Sequence, residues 1–172
     1  MALIEIKGIT KSFGGVKAVD DFDLKIEVGQ IVGLIGPNGA GKSTIFNLVT
    51  GVFSVDSGEI VFNGEKISHY KTYQICRKGI GRSFQVVKPF GDMTVMDNVM
   101  VGAFCRVEDP KEGRQRAMEV LEFVKLADKK NFFTKNLTIA DKKRVELARA
   151  LATKPKLLLL DEVMAGLNPK ET

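Results

Sequence analysis

Nine consecutive residues, Gly36, Pro37, Asn38, Gly39, Ala40, Gly41, Lys42, Ser43 and Thr44, read GPNGAGKST and satisfy the pattern G-x-x-x-x-G-K-[ST]. Glycines at this spacing let the backbone curl so that successive N–H groups point inward at phosphate oxygens. A helix opening at the end of such a loop adds its positive dipole end. The Lys42 ammonium is then placed for the β and γ phosphates, and the Ser43 hydroxyl for a Mg²⁺ ion shared with them. A second chemical stretch, LLLLDE, ends in Asp161 and Glu162. An acid at the carboxyl end of a buried strand suits Mg²⁺, held directly or through water, and the acid beside it suits orientation or deprotonation of an attacking water. An apolar run ending in two acids is weak evidence alone. Combined with the phosphate loop it is strong, because ligands of open α/β sheets bind at the carboxyl edge of the strands.

These residues need a frame. Ile31 to Ile35 precedes the loop as a continuous apolar run, which predicts a buried parallel strand; a helix is predicted from about Lys42 to a stop at Gly51. Residues 3–9 and 22–28 alternate apolar with polar and predict half-buried antiparallel strands, and Asn63-Gly64 is the turn of a further hairpin. From Asp92 to Ala152 the pattern turns helical, with Ala117, Val120, Leu121 and Val124 on one face and Val145, Ala148 and Ala152 on another. Leu157 to Leu160 then form a short apolar run that predicts a central parallel strand. The fold class expected is α/β: a P-loop NTPase core with a mixed or parallel sheet, an N-terminal antiparallel part and an inserted helical subdomain. Residues 1–88 and 153–172 would form the nucleotide-binding core of a single, incomplete domain, and 89–152 the helical subdomain.

Composition narrows the partners. With 44% hydrophobic and 27% charged residues in 172, the chain has the makeup of a soluble globular domain. No apolar run reaches the roughly 18 to 20 residues of a spanning helix, and MALIEIKGIT lacks the basic start and apolar centre of a signal peptide. A cytoplasmic chain is expected. The net charge of +5, from 26 basic and 21 acidic residues, suits phosphate ligands or an anionic membrane surface, and no aromatics are interleaved with the basic residues to suggest nucleic acid. Cys76 and Cys105 lie far apart in the sequence without metal-like spacing and receive no role; His69, in ISHYKTY, is expected at a surface turn.

Over essentially its whole length the chain resembles the ATP-binding subunits of ABC transporters. The resemblance rests jointly on GPNGAGKST, on GRSFQ, on ADKKRVELARALATKPKLLLLDE and on AGLNP. Within that family, KSFGGVKAVDD, GRSFQ and LLLLDEVMAGLNP are most similar to subunits of branched-chain amino acid importers. The resemblance implies a Mg²⁺-ATP site, hydrolysis coupled to transport, a second ATP-binding subunit of the same or a sister kind, and integral membrane permease partners. It also implies a peripheral position on the inner face of the cell membrane. It matches Phe13 to the aromatic that stacks on adenine, 29 positions before Lys42, although an ordinary core phenylalanine would read the same. It matches Gln85 to the glutamine that approaches Mg²⁺ and the attacking water. The segment after Gln85 would receive a coupling helix of the permease, while Met93, Met96 and Met100 fit helix packing equally well.

The family's switch histidine, some thirty residues beyond the acids that match Asp161 and Glu162, would fall past Thr172, which stands ten residues beyond Glu162. A 172-residue product is therefore expected to bind nucleotide but to hydrolyse it slowly or not at all. Two competing readings follow: a truncated nucleotide-binding module with little hydrolysis, and a soluble ABC ATPase without a transport role. The family also opens its signature helix with Leu-Ser-Gly-Gly-Gln, which meets the γ-phosphate held by the opposite subunit; here the matching residues are Leu137, Thr138, Ile139, Ala140 and Asp141. Both glycines are replaced. Thr138 followed by Asp141 is a capping box, so this stretch reads either as a plain helix cap or as a cap that also presents the Thr138 hydroxyl to ATP across the dimer. Lys142, Lys143 and Arg144 read as a solvated face.

Overall fold

The computed structural model describes residues 2–83 and 89–161, which fall into two compact units, Met1–Ile75 and Cys76–Thr172. Gln85 and Glu162 lie outside the described residues.

In the first unit, β1 (Ala2–Phe13) and β2 (Val16–Glu27) form a long antiparallel hairpin across Gly14-Gly15, with Ile4 opposite Ile26 and Ile6 opposite Leu24. The sheet continues through β3 (Ser57–Phe62) and the short β4 (Glu65–Lys66), in the order β2-β1-β3-β4. Alternation along β1 and β3 sends Ile4, Ile6, Ile9, Ile60 and Phe62 into the core. The predicted Asn63-Gly64 turn joins β3 to β4; both residues have positive φ, as a tight hairpin requires. Helix α1 (Lys42–Val49) buries Ile45, Leu48 and Val49, and Gly51 follows its C-terminus at φ 69°.

One expectation fails here. Ile31–Ile35 is not a strand, and Ile31 and Ile35 are 102% and 95% exposed. An apolar run becomes a doubly covered strand only when neighbouring strands supply its hydrogen bonds and helices cover both faces. Among the described residues no strand pairs with this segment.

The second unit begins within α2 (Thr72–Lys78) and continues into β5 (Ile80–Arg82), which pairs in parallel with β6 (Leu157–Leu159). The leucines of β6 are half-buried, so the predicted direction holds while the expected full cover does not. Between these strands lie α3 (Val95–Ala103), α4 (Pro110–Phe123) and α5 (Ile139–Ala152). Each helix starts on a side-chain cap: Thr94, Asp109 followed by Pro110, and Thr138. The apolar faces read from the sequence meet in one core of Val95, Val99, Ala117, Leu121, Val145 and Ala148, with Met96 inside it. Full burial of each larger member contributes about 1.5–3 kcal/mol. Gly102 makes the closest approach possible, since a Cβ there would stand 2.2 Å from the carbonyl oxygen of Arg149 on α5. Asn98, wholly buried, accepts from the Phe90 N–H and donates to the carbonyls of Phe90 and Thr94, which fixes the loop leading into α3.

Candidate functional site

The phosphate loop is an exposed turn that runs directly into α1. Gly41 caps the helix at φ 80° and ψ 2°, and a Cβ at that position would lie 2.2 Å from the Ala18 carbonyl oxygen on β2. Both the left-handed backbone and the contact demand glycine. No side chain caps this helix among the described residues, so no cap takes up the N–H groups of its first turn. Lys42 folds back over the loop and donates to the carbonyls of Gly36 at 2.6 Å and Pro37 at 2.7 Å. The ammonium thus spans the cradle that Asn38, Gly39 and Ala40 close, where Ala40 N–H donates to Pro37 at 3.2 Å. Ser43 and Thr44 stand on the first turn, Ser43 exposed and Thr44 half-buried. A backbone cradle, a lysine and a first-turn hydroxyl together bind polyphosphate and offer one oxygen ligand to a hard divalent cation.

Phe13 ends β1 in the same unit and is 42% exposed. Its ring packs edge-on against Phe53 at 5.1 Å, with Lys11 Nζ 5.6 Å from the ring centre. It is neither a core residue nor fully free, and a partly open face suits stacking.

In the second unit, Asp161 follows β6. Its N–H donates to Ser83 Oγ at 3.2 Å, and its carboxylate pairs with Arg82 at 3.1 Å. Arg82 and Ser83 come from β5 and its end, so the parallel pairing of β5 with β6 is what orients this acid. The sequence reading did not single out Arg82, whose partner is 79 positions away. The Ser43 hydroxyl in the first unit and the Asp161 carboxylate in the second are each oxygen donors of the kind Mg²⁺ takes.

Thr138 caps α5, its hydroxyl oxygen accepting from the Asp141 N–H at 3.2 Å, as the capping reading requires. The other half of the box departs from expectation. The Asp141 carboxylate is buried and pairs with Lys129 at 2.6 Å and Arg144 at 3.6 Å. Burial pushes its pKa up, but hydrogen bonding with Lys129 and Thr138 outweighs that and holds it below the ordinary 3.8. The exposed side of this helix start therefore carries Thr138 and Ile139, not a carboxylate. Lys129, in the turn Ala127–Lys129, carried no sequence signal: it is one lysine of a charged surface stretch. His69 lies exposed in a turn, as expected. Cys76 and Cys105 do not stay apart; their sulfurs are 3.6 Å from each other.

A glycine-rich phosphate loop opening a helix, and in the second unit an acid just beyond a parallel strand, are the marks of a P-loop nucleotide-binding protein. The ABC transporter family model matches residues 19–165, and the chain belongs to that family as an ATP-binding cassette. It is 40% identical to the high-affinity branched-chain amino acid transport ATP-binding protein BraF of Pseudomonas aeruginosa, over 99% of this chain and 72% of that protein. Among solved structures it is similar to the ADP conformation of MJ1267, an ATP-binding cassette of an ABC transporter, at TM-score 0.87 and 33% identity, covering 99% of this chain and 72% of the other. It is also similar to the dimeric structure of MJ0796, a bacterial ABC transporter cassette, at TM-score 0.88 and 27% identity, covering 98% and 77%. No described helix is long and apolar enough to cross a membrane.

Proposed function

We propose that this cassette binds Mg²⁺-ATP and powers an importer of branched-chain amino acids, working as a pair of ATP-binding subunits on the cytoplasmic face of membrane-embedded permease subunits. The observation that carries the nucleotide half is the loop itself: Gly41 in the left-handed conformation and Lys42 poised across the cradle on the carbonyls of Gly36 and Pro37. Phosphate oxygens replace those two carbonyls as partners of the ammonium, and the first-turn N–H groups take the remaining charge. Mg²⁺ when bound neutralises charge on the β and γ phosphates, with Ser43, Asp161 and Gln85 as the residues that hold it. Phe13 stacks on adenine, and Glu162 orients the attacking water. Residues 1–88 and 153–172 serve as the nucleotide-binding core and 89–152 as the helical subdomain that faces the permease. The dimeric MJ0796 cassette supports the paired arrangement, and BraF supports the substrate class. In a dimer Thr138 meets the γ-phosphate held by the partner.

The test is equilibrium binding of a fluorescent ATP analogue, with and without Mg²⁺, to the chain and to Lys42→Ala. Loss of at least about tenfold in affinity, with unfolding unchanged, supports the site. Equal affinities refute it. Uptake of leucine, isoleucine and valine in cells carrying the chain with its permease tests the cargo; uptake that is independent of the chain refutes that assignment.

A further inference from the structure

We propose that Cys76 and Cys105 form a redox-active thiol pair, which a peroxide converts to an intramolecular disulfide joining the end of α2 to the turn after α3. This stands apart from the nucleotide site and does not depend on the function proposed above. The two cysteines are separated by 29 positions, yet their half-buried sulfurs lie 3.6 Å apart, in contact as thiol and acceptor.

The backbone around them is pinned. Arg106, next to Cys105, donates through one guanidinium nitrogen to the Cys76 carbonyl at 3.1 Å and through another to the Arg77 carbonyl at 2.6 Å. Its Nε donates to the Thr153 carbonyl at 2.6 Å. One side chain thus holds both cysteine-bearing segments and the end of α5. A disulfide bond is about 2.05 Å long, so the sulfurs, now in contact, must close by roughly 1.6 Å to bond.

The two sulfurs have different parts in the reaction. Burial first, and then the hydrogen bond to Cys105, push the Cys76 thiol up to about 11, so Cys76 remains protonated at neutral pH and is a poor first nucleophile. Cys105 reacts first: its thiolate attacks one peroxide oxygen, the O–O bond breaks, hydroxide leaves, and sulfenic acid remains on Cys105. The Cys76 sulfur then attacks the Cys105 sulfur, the S–O bond breaks, and the Cys76 proton departs with the hydroxyl as water. Overall two thiols lose two protons and two electrons, and one peroxide becomes two waters. A dithiol reductant reverses the bond by exchange.

The experiment is intact-mass analysis of the 172-residue chain before and after hydrogen peroxide. A loss of about 2 Da, restored by a dithiol, with non-reducing peptide mapping that joins Cys76 to Cys105, is the expected result. The oxidised form should also unfold at a higher denaturant concentration than the reduced one. Cys76→Ser should instead gain about 16 Da at Cys105, or further oxidation there, and Cys105→Ser should leave Cys76 unmodified. Cross-links between chains, oxygen gain on both sulfurs of the unsubstituted chain, or no change under peroxide that fully oxidises the urea-unfolded chain would each overturn the proposal. The decisive comparison uses the unsubstituted chain, so it does not depend on either variant folding.

Discussion

Lys129→Met isolates what the buried acid of α5 costs and what offsets that cost. The Asp141 side chain is 6% exposed and the Lys129 side chain 36%, with Nζ 2.6 Å from the carboxylate. Removing one partner of a fully buried pair costs about 3–5 kcal/mol, because the remaining charge is left without compensation. Here solvent screens the lysine end, and Arg144 remains 3.6 Å from the other carboxylate oxygen, so about 2 kcal/mol is expected. In a double-mutant cycle with Asp141→Asn, most of that cost should vanish, giving a coupling of about 1–2 kcal/mol. The chain has no tryptophan, so urea unfolding is best followed by the helical circular dichroism signal. Because the folded pKa of Asp141 lies below its ordinary 3.8, the stabilisation is fully present above that value and is lost as pH falls through the lower, folded one. The difference between parent and Lys129→Met should accordingly be flat from neutral pH to about 5 and shrink below about 4. The exposed pair Lys135–Asp92 provides the control and should show no measurable coupling. An equal cost of Lys129→Met with aspartate or asparagine at position 141 would refute the reasoning.

Gly41→Ala forces a Cβ to within 2.2 Å of the Ala18 carbonyl in a left-handed backbone; nucleotide affinity should fall by at least about tenfold, measured by titration, and retained affinity would show that the loop tolerates another path. Thr138→Ala removes the cap of α5 and should lower stability by about 1 kcal/mol in urea unfolding. If Thr138 also contacts nucleotide across a dimer, the same variant weakens ATP-driven dimerisation, followed by light scattering, more than it weakens ATP binding to the monomer. Leu121→Ala opens a cavity in the α3–α4–α5 core, where Leu121 is fully buried, and should cost about 2–5 kcal/mol in the same unfolding assay.

Local patterns were the legible part of this chain. The faces of α4 and α5, the Asn63-Gly64 hairpin, the alternation of β1 and the opening of α1 each follow from spacing within a dozen residues. The phosphate loop was readable for the same reason, since its chemistry is contiguous. Ile31–Ile35 was misread because an apolar run states what it would bury and not whether a neighbour is there to bury it. Lys129, Arg82 and the Cys76–Cys105 approach were invisible for a related reason: each meets a partner 12, 79 and 29 positions away, and no short pattern encodes such meetings. The inward turn of Asp141 depended on the first of these. In the sequence Asp141 reads as the second residue of a capping box, which says nothing of a lysine 12 positions earlier.

The pairing of β5 with β6 also sets an order of events during synthesis. Ile80 opposes Leu157, so 77 positions of chain must be made and clear of the ribosome before this ladder can close. The β1–β2 hairpin, by contrast, turns at Gly14-Gly15 and needs nothing made after Glu27. Until β6 arrives, Ile80 and Gly81 have no partner for their parallel ladder, and Ser83, which Asp161 will later join, waits with them. The acid is thus delivered to its place beside Arg82 and Ser83 by the last described strand, and a ribosome pausing before Leu157 would hold a nascent chain whose phosphate loop is made while Arg82 still waits for Asp161.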